Sequence, residues 1–138
     1  MKKILILCTG NSCRSQIAHG YLESLTSNSV QVYSAGTEKH GLNKNAVRCM
    51  KEDNIDISSH ESNLIDEYLN IKFDYIITVC DNANENCPIF PNSYAKRIHQ
   101  NFKDPSKIQN GIYGDHFIKT RDEIKKFIRE FIEKELTG

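Results

Sequence analysis

The chain has no excess of charge of either sign: 18 lysines and arginines balance 18 aspartates and glutamates. That balance removes any broad pull toward nucleic acid or an acidic membrane surface, so neither is an expected partner, while a local positive site stays possible. Long apolar stretches are also missing. KILILC, at 3–8, follows two lysines as the core of a signal peptide would, yet it meets Thr9, Gly10 and Asn11 too soon to be one. No run approaches the about 20 residues of a membrane span. With no repeat, low-complexity tract or interdomain linker, the 138 residues are expected to form one domain over 1–138. An even cysteine complement is missing too. Five cysteines without an export signal argue against a static disulfide framework and for a reducing, cytoplasmic setting. Cysteines there are core residues, metal ligands or redox participants.

What is present begins with that apolar run. Lys3 to Cys8 is continuously apolar, too short for a helix and soon followed by glycine, which is how a strand buried on both faces reads. Ile17, Ala18, Tyr21, Leu22 and Leu25 recur at helical spacing from Ser15 onward. Val30 to Gly36 alternates and breaks at a glycine, a second strand. Ala46, Val47 and Met50 predict a short helix after Asn43. Asn63 to Leu69 reads as helical with Ser62 as its cap. Asp74 to Cys80 is another buried strand that ends on a cysteine, and Arg97 to Asn101 is a short last one. From Asp115, apolar residues through Phe117, Ile124, Phe131 and Ile132 predict a long amphipathic C-terminal helix. Strands alternating with helices imply an α/β fold with a parallel sheet and right-handed crossovers. In such sheets ligands bind beyond the carboxyl ends of the strands, where strand order reverses. An order of 2-1-3-4 would make the first and third strands neighbours at that point, with Cys8 and Cys80 facing one crevice.

The loop after the first strand reads CTGNSCRSQ, Cys8 to Gln16. A loop leading into a helix offers unpartnered backbone N–H groups and the positive end of the helix dipole. Gly10 is expected to let the backbone curl, so that the amides of Thr9, Gly10, Asn11, Ser12, Cys13, Arg14 and Ser15 form a nest for a tetrahedral oxyanion. Arg14 adds a planar, permanently charged fork able to hold two oxyanion oxygens. Cys8 lies at the floor of this cradle, where the field that draws an oxyanion also favours a thiolate. Ser15 can donate to its sulfur, and Asn11 can brace the loop. A lone cysteine at a strand end is commonly apolar filler; the full C-x5-R-S string after a buried strand makes Cys8 a candidate nucleophile. A leaving oxygen also needs a proton donor. Asp104, followed by Pro105, is the candidate general acid, although Asp-Pro alone marks only a turn. Zinc is a poor reading of the cysteines, since no second knuckle accompanies Cys80 and Cys87. His19, His40, His60, His99 and His116 show no ligand spacing, and no metal site is expected.

CTGNSCRS, YSAGT at 33–37 and Asp104-Pro105 together resemble the low-molecular-weight protein tyrosine phosphatase fold family, over nearly the whole chain. Within it the chain is more similar to the thioredoxin-coupled arsenate reductases. Gln16 stands where the phosphatases usually have proline, Ser106 where they typically have tyrosine, and TVCDNANENCP at 78–88 resembles the reductases' redox segment. The resemblance implies a three-layer fold with a four-stranded parallel sheet in the order 2-1-3-4, flanked by helices, forming a single catalytic domain.

It also implies a chemistry. Cys8 attacks arsenate while Asp104 assists loss of the leaving oxygen; Cys80 attacks Cys8 and arsenite departs. Cys87 then attacks Cys80, leaving a Cys80–Cys87 disulfide for thioredoxin to reduce. Arsenate would be the substrate, phosphate or sulfate competing oxyanions, and thioredoxin the external reductant, with no bound cofactor. The polar segment between Cys80 and Cys87 is expected to be flexible enough to move a sulfur. Cys13 and Cys49 read as structural. Some of these reductases bind potassium beside the anion loop through carboxylates; His19 and Asn63 occupy those positions here, although Asn11 and Ser34 still offer oxygens. The alternatives are a phosphatase acting on phosphotyrosine or a small phosphate ester, and a redox or oxyanion sensor.

Overall fold

The computed structural model describes residues 1–88, 90 and 94–137. Four strands, β1 (Lys3–Cys8), β2 (Gln31–Gly36), β3 (Tyr75–Thr78) and β4 (Lys96–His99), alternate with helices α1 (Arg14–Leu25), α2 (Lys44–Glu52), α3 (Asp81–Glu85) and α4 (Asp115–Phe131). All pairings are parallel and the order is β2-β1-β3-β4, as expected. β1 is central, and Ile4, Leu5 and Ile6 are fully buried, which its uninterrupted apolar sequence requires. Side-chain alternation sorts the sheet into two faces. On one, Ser34 reaches His19 of α1 and Tyr75 meets Phe131 of α4 edge-on. On the other, Tyr33 packs against Tyr68 and Phe73, and Phe73 against Phe90. The result is three layers. α4 buries Phe117, Ile124, Ile128 and Phe131 at helical spacing; each such side chain contributes ~1.5–3 kcal/mol. No described helix is long and apolar enough to cross a membrane.

Two local expectations fail, and each failure bears on the site. The segment 63–69 forms only a short 3-10 turn at Ile65–Tyr68. Leu64 is held extended by a parallel bridge to Gly36, and Ser62, the expected cap, donates instead to the carbonyl of Asn11 at 2.7 Å. The segment between Cys80 and Cys87 is not a flexible loop but holds the short helix α3. Cys80 is its N-cap, its sulfur accepting from the Ala83 N–H at 3.4 Å, and Asn101 accepts from the Asp81 N–H at 3.1 Å. The last strand also begins and ends earlier than its expected 97–101, because after His99 the chain turns to bond Phe102 N–H to the Val79 carbonyl at 3.1 Å.

Candidate active site

β1 delivers Cys8, 2% exposed, to the carboxyl edge of the sheet, and the chain must turn within five residues to enter α1 at Arg14. The turn is anchored from outside. The Thr9, Gly10 and Ser12 carbonyls accept from the N–H groups of Glu38, His40 and Asn43 at 2.8–3.0 Å. The Asn11 carbonyl accepts from Ser62 and from the Gln16 amide at 2.7 and 3.1 Å. With the carbonyls engaged this way, the backbone N–H groups of residues 10–15 find no protein acceptor among the described residues. That is a nest at a helix N-terminus, a seat for a tetrahedral anion.

The left-handed backbone position in this turn belongs to Asn11, at φ 47°. Gly10 is needed for space: a Cβ there would stand 2.3 Å from the His40 ring. Asn11 tolerates its conformation because its buried side chain is bonded at both ends. Its Oδ1 accepts from Asn63 N–H at 2.8 Å, and its Nδ2 donates to Ser15 Oγ at 2.8 Å. Since Ser15 accepts that bond, its own hydrogen is free to point at Cys8 Sγ, 2.9 Å away. The sulfur therefore receives a donor whose orientation is set by its neighbours.

Cys8 opens on a cavity of about 110 Å³, walled among others by Thr9, Ser12, Cys13, Arg14 and Asp104. Arg14 spends one prong on the Phe102 carbonyl at 2.9 Å, and its other stands 3.7 Å from Asp104 Oδ2. Asp104 Oδ1 is occupied by the Ser106 N–H and hydroxyl at 3.0 and 2.6 Å. Oδ2 is thus the oxygen left for chemistry. His40, Ser106 and Lys107 also line the cavity. His40 and Lys107 were not legible in the sequence: His40 arrives on the strap that bonds Gly10, while Lys107 follows, with Ser106, from the turn that Asp104 caps.

The other thiols divide clearly. Cys80 is buried at the end of the β3 segment, with its sulfur 3.3 Å from the hydroxyl of Thr9, the residue after Cys8. It lies outside the cavity wall, so the shared crevice expected for Cys8 and Cys80 is a close approach through Thr9. Cys87 is half-buried beyond α3, and burial pushes its thiol up while Arg97 opposes the rise. Burial, with Asp104 next, holds Cys13 well above the ordinary thiol range, and Cys49 is pushed up to about 11, chiefly by burial. Both are poor nucleophiles at neutral pH.

Potassium does not fit this donor set. Ser34 Oγ bonds the His19 ring at 2.7 Å, Asn11 Oδ1 is taken by the Asn63 N–H, and the Asn63 amide nitrogen faces the Glu61 carbonyl. Ring nitrogens and engaged oxygens stand where a hard cation needs free oxygen ligands.

The chain is similar over most of its length to proteins of known activity. It is 46% identical over 130 residues to arsenate reductase 2 of Staphylococcus epidermidis, covering 94% of this chain and 95% of that one. A solved arsenate reductase in a phosphate-binding state superposes with a TM-score of 0.77 at 28% identity, covering 97% of this chain and 98% of the other. The thioredoxin-dependent arsenate reductase of Corynebacterium glutamicum superposes with a TM-score of 0.76 at 26% identity, covering 97% of this chain and 61% of its own. Residues 3–137 match the low molecular weight phosphotyrosine protein phosphatase family, and the chain belongs to that family.

Proposed function

We propose that this chain is a thioredoxin-dependent arsenate reductase working by a relay through Cys8, Cys80 and Cys87. The observation that supports the reading is Cys8 at the floor of a turn of unpartnered backbone N–H groups, with the buried Cys80 sulfur 3.3 Å from the hydroxyl of the next residue, Thr9. Relatives matched at 43–46% identity over nearly their whole length are arsenate reductases. A phosphatase needs only the first cysteine and water.

The Cys8 thiolate attacks arsenic(V) in the nest, with Arg14 and the loop amides holding the oxyanion oxygens. An S–As bond forms and one oxygen leaves as water, taking a proton from Asp104 Oδ2. Cys80 then attacks Cys8 Sγ. The S–S bond forms, the S–As bond breaks, and its electron pair stays on arsenic, which departs as arsenite, arsenic(III). Cys87 attacks Cys80 Sγ, releasing the Cys8 thiolate and leaving the Cys80–Cys87 disulfide, which the thioredoxin dithiol reduces. Two electrons pass from two thiols to arsenic as the S–As bond breaks, and every step after arsenite leaves is thiol–disulfide exchange.

This sequence requires α3 to unwind. Cys80 caps α3 and Cys87 lies beyond its last residue, Glu85, so five helical residues, ~7.5 Å along the axis, stand between them, whereas a disulfide needs Cα atoms ~4.4–6.8 Å apart. A five-residue helix is far below the length that is stable alone. Its tethers are the Cys80 sulfur at its cap, Asn101 at Asp81 N–H, His99 on the Asp81 carboxylate at 2.7 Å, the Thr9 and Thr37 hydroxyls on Asn82 Oδ1 at 3.3 and 3.4 Å, and the buried Ala83. When the Cys80 sulfur moves onto Cys8 Sγ it leaves the Ala83 N–H that it caps, so the chemistry itself loosens the helix that must open.

The test follows arsenite and arsenate-dependent NADPH consumption with thioredoxin and its reductase. Cys80→Ser releases no arsenite yet keeps a weak phosphatase activity. Cys87→Ser releases about one arsenite per enzyme before stalling as the Cys8–Cys80 disulfide. Disulfide mapping after one arsenate exposure decides between the readings. If the wild type forms no Cys80–Cys87 bond, or the Cys80 variant turns over normally, the phosphatase reading replaces this one.

A further inference from the structure

The fold gathers three side chains that the sequence keeps apart. His19 and Glu23 lie one turn apart on α1, and His60 comes from the segment after α2. The Nε2 atoms of His19 and His60 each stand 3.5 Å from a different oxygen of Glu23. The rings are 4.5 Å apart between centroids, and one ligand atom from each residue lies within 4.8 Å of the others. At 3.5 Å these are long for hydrogen bonds. They are close to the ~3.3 Å that separates neighbouring ligands on a tetrahedral metal with bonds of ~2.0–2.1 Å.

The far side of each ring is already held as a ligand's would be. The Gln16 amide nitrogen donates to the carbonyls of Asn11 and Glu61 at 3.1 and 3.0 Å. Its oxygen must therefore face His60 Nδ1, 2.9 Å away, which places the hydrogen on Nδ1 and the lone pair on Nε2. His19 Nδ1 is bonded to Ser34 Oγ at 2.7 Å. A ligating histidine characteristically gives its other N–H to such an outer partner, which fixes the ring and its tautomer. Both imidazoles are mostly buried, while Glu23 is 37% exposed and leaves a side for water.

We propose that His19, Glu23 and His60 together bind a borderline transition-metal ion of the zinc(II) class, with water as the fourth ligand. Two imidazoles and one carboxylate suit zinc, cobalt or nickel and not a hard cation that takes only oxygen. The ion would pin α1 to the 57–63 segment, whose Ser62 and Asn63 brace Asn11 in the oxyanion loop. Its role is structural, since the site lies outside the wall of the catalytic cavity.

The test titrates the full-length reduced protein with cobalt(II) under anaerobic conditions, and with zinc(II) in thermal melts. The expected result is one cobalt per chain, weak visible bands of nitrogen and oxygen ligation, and no sulfur-to-cobalt absorption in the near ultraviolet. His60→Ala and Glu23→Gln should each weaken binding by more than the ~10–100-fold that loss of an outer partner costs. They should also abolish the zinc-dependent rise in melting temperature, while His99→Ala retains both. His60→Gln, with folding checked by circular dichroism, serves if the alanine variant is unfolded. Cobalt affinity unchanged in these variants, or a spectrum dominated by thiolate ligation, overturns the site.

Discussion

Ser15→Ala removes the one polar side-chain contact of Cys8 Sγ among the described residues. The hydroxyl lies 2.9 Å from Cys8 Sγ and accepts from the Asn11 amide at 2.8 Å, so its own hydrogen is available to a Cys8 thiolate. A hydrogen bond to a charged partner contributes ~1.5–3 kcal/mol. Its loss should slow capture of Cys8 by iodoacetamide at neutral pH, followed by peptide mapping, roughly 10- to 150-fold. Arsenate turnover should fall in the same proportion, since both begin with the thiolate. The variant also strands the Asn11 Nδ2 donor in a fully buried position, which costs ~1–3 kcal/mol in chemical denaturation. The two losses are separable. Alkylation within about threefold of wild type, in a variant that is destabilised as expected, would mean that Ser15 only braces the loop and does not support the thiolate.

Arg14→Lys should lower kcat/KM for arsenate by about 100-fold, because an ammonium cannot both hold the Phe102 carbonyl and present a prong to the oxyanion; near-normal kinetics would refute the fork. Asp104→Asn should slow single-turnover formation of the Cys8 adduct by roughly 10²–10⁴-fold and leave phosphate inhibition largely intact, whereas a change in affinity alone would contradict the proton-donor role. Asp53 accepts from Lys125 at 2.8 Å and Tyr21 at 2.7 Å, and the Lys125 bond first, then Tyr21, holds its carboxyl below the ordinary value of 3.8. A carboxylate lowered on folding stabilises fully above that ordinary value and less as pH falls through the folded one. Asp53→Asn should therefore cost ~1 kcal/mol at neutral pH, with the difference from wild type closing only below about pH 3.8 in acid melts.

Much of the fold was legible because it rests on local periodicity. The unbroken apolar runs of β1 and β3 can only be strands covered on both faces, and α4 shows its buried stripe at helical spacing. What was not legible depends on pairing across the chain. Ser62 is a sound cap in isolation, but the carbonyl of Asn11, 51 residues away, competes for its hydroxyl, and Gly36 keeps Leu64 extended. The polar composition of 81–86 suggested mobility, yet Cys80 and Asn101 at its amide end suffice to close one helical turn and more.

The same distinction runs through the site. Cys8, Arg14 and Ser15 are one contiguous string, so their chemistry can be read from residue types and spacing alone. Gly10 was read only as the residue that lets the loop curl; the close approach of the His40 ring adds a second constraint, and only the strap running beside the loop puts that ring there. Histidines lack the spacing that betrays a knuckle, because His60 joins His19 and Glu23 only after α2 has packed on α1 and the chain has returned under the loop. Gln16 links the two regions. Its amide nitrogen braces Asn11 in the oxyanion loop while its oxygen orients His60 toward Glu23. A proline at that position could make neither bond, having no side-chain donor or acceptor to offer. The residue that separates this loop from that of the phosphatases it resembles is therefore also the one that makes a second cluster of ligands possible behind it.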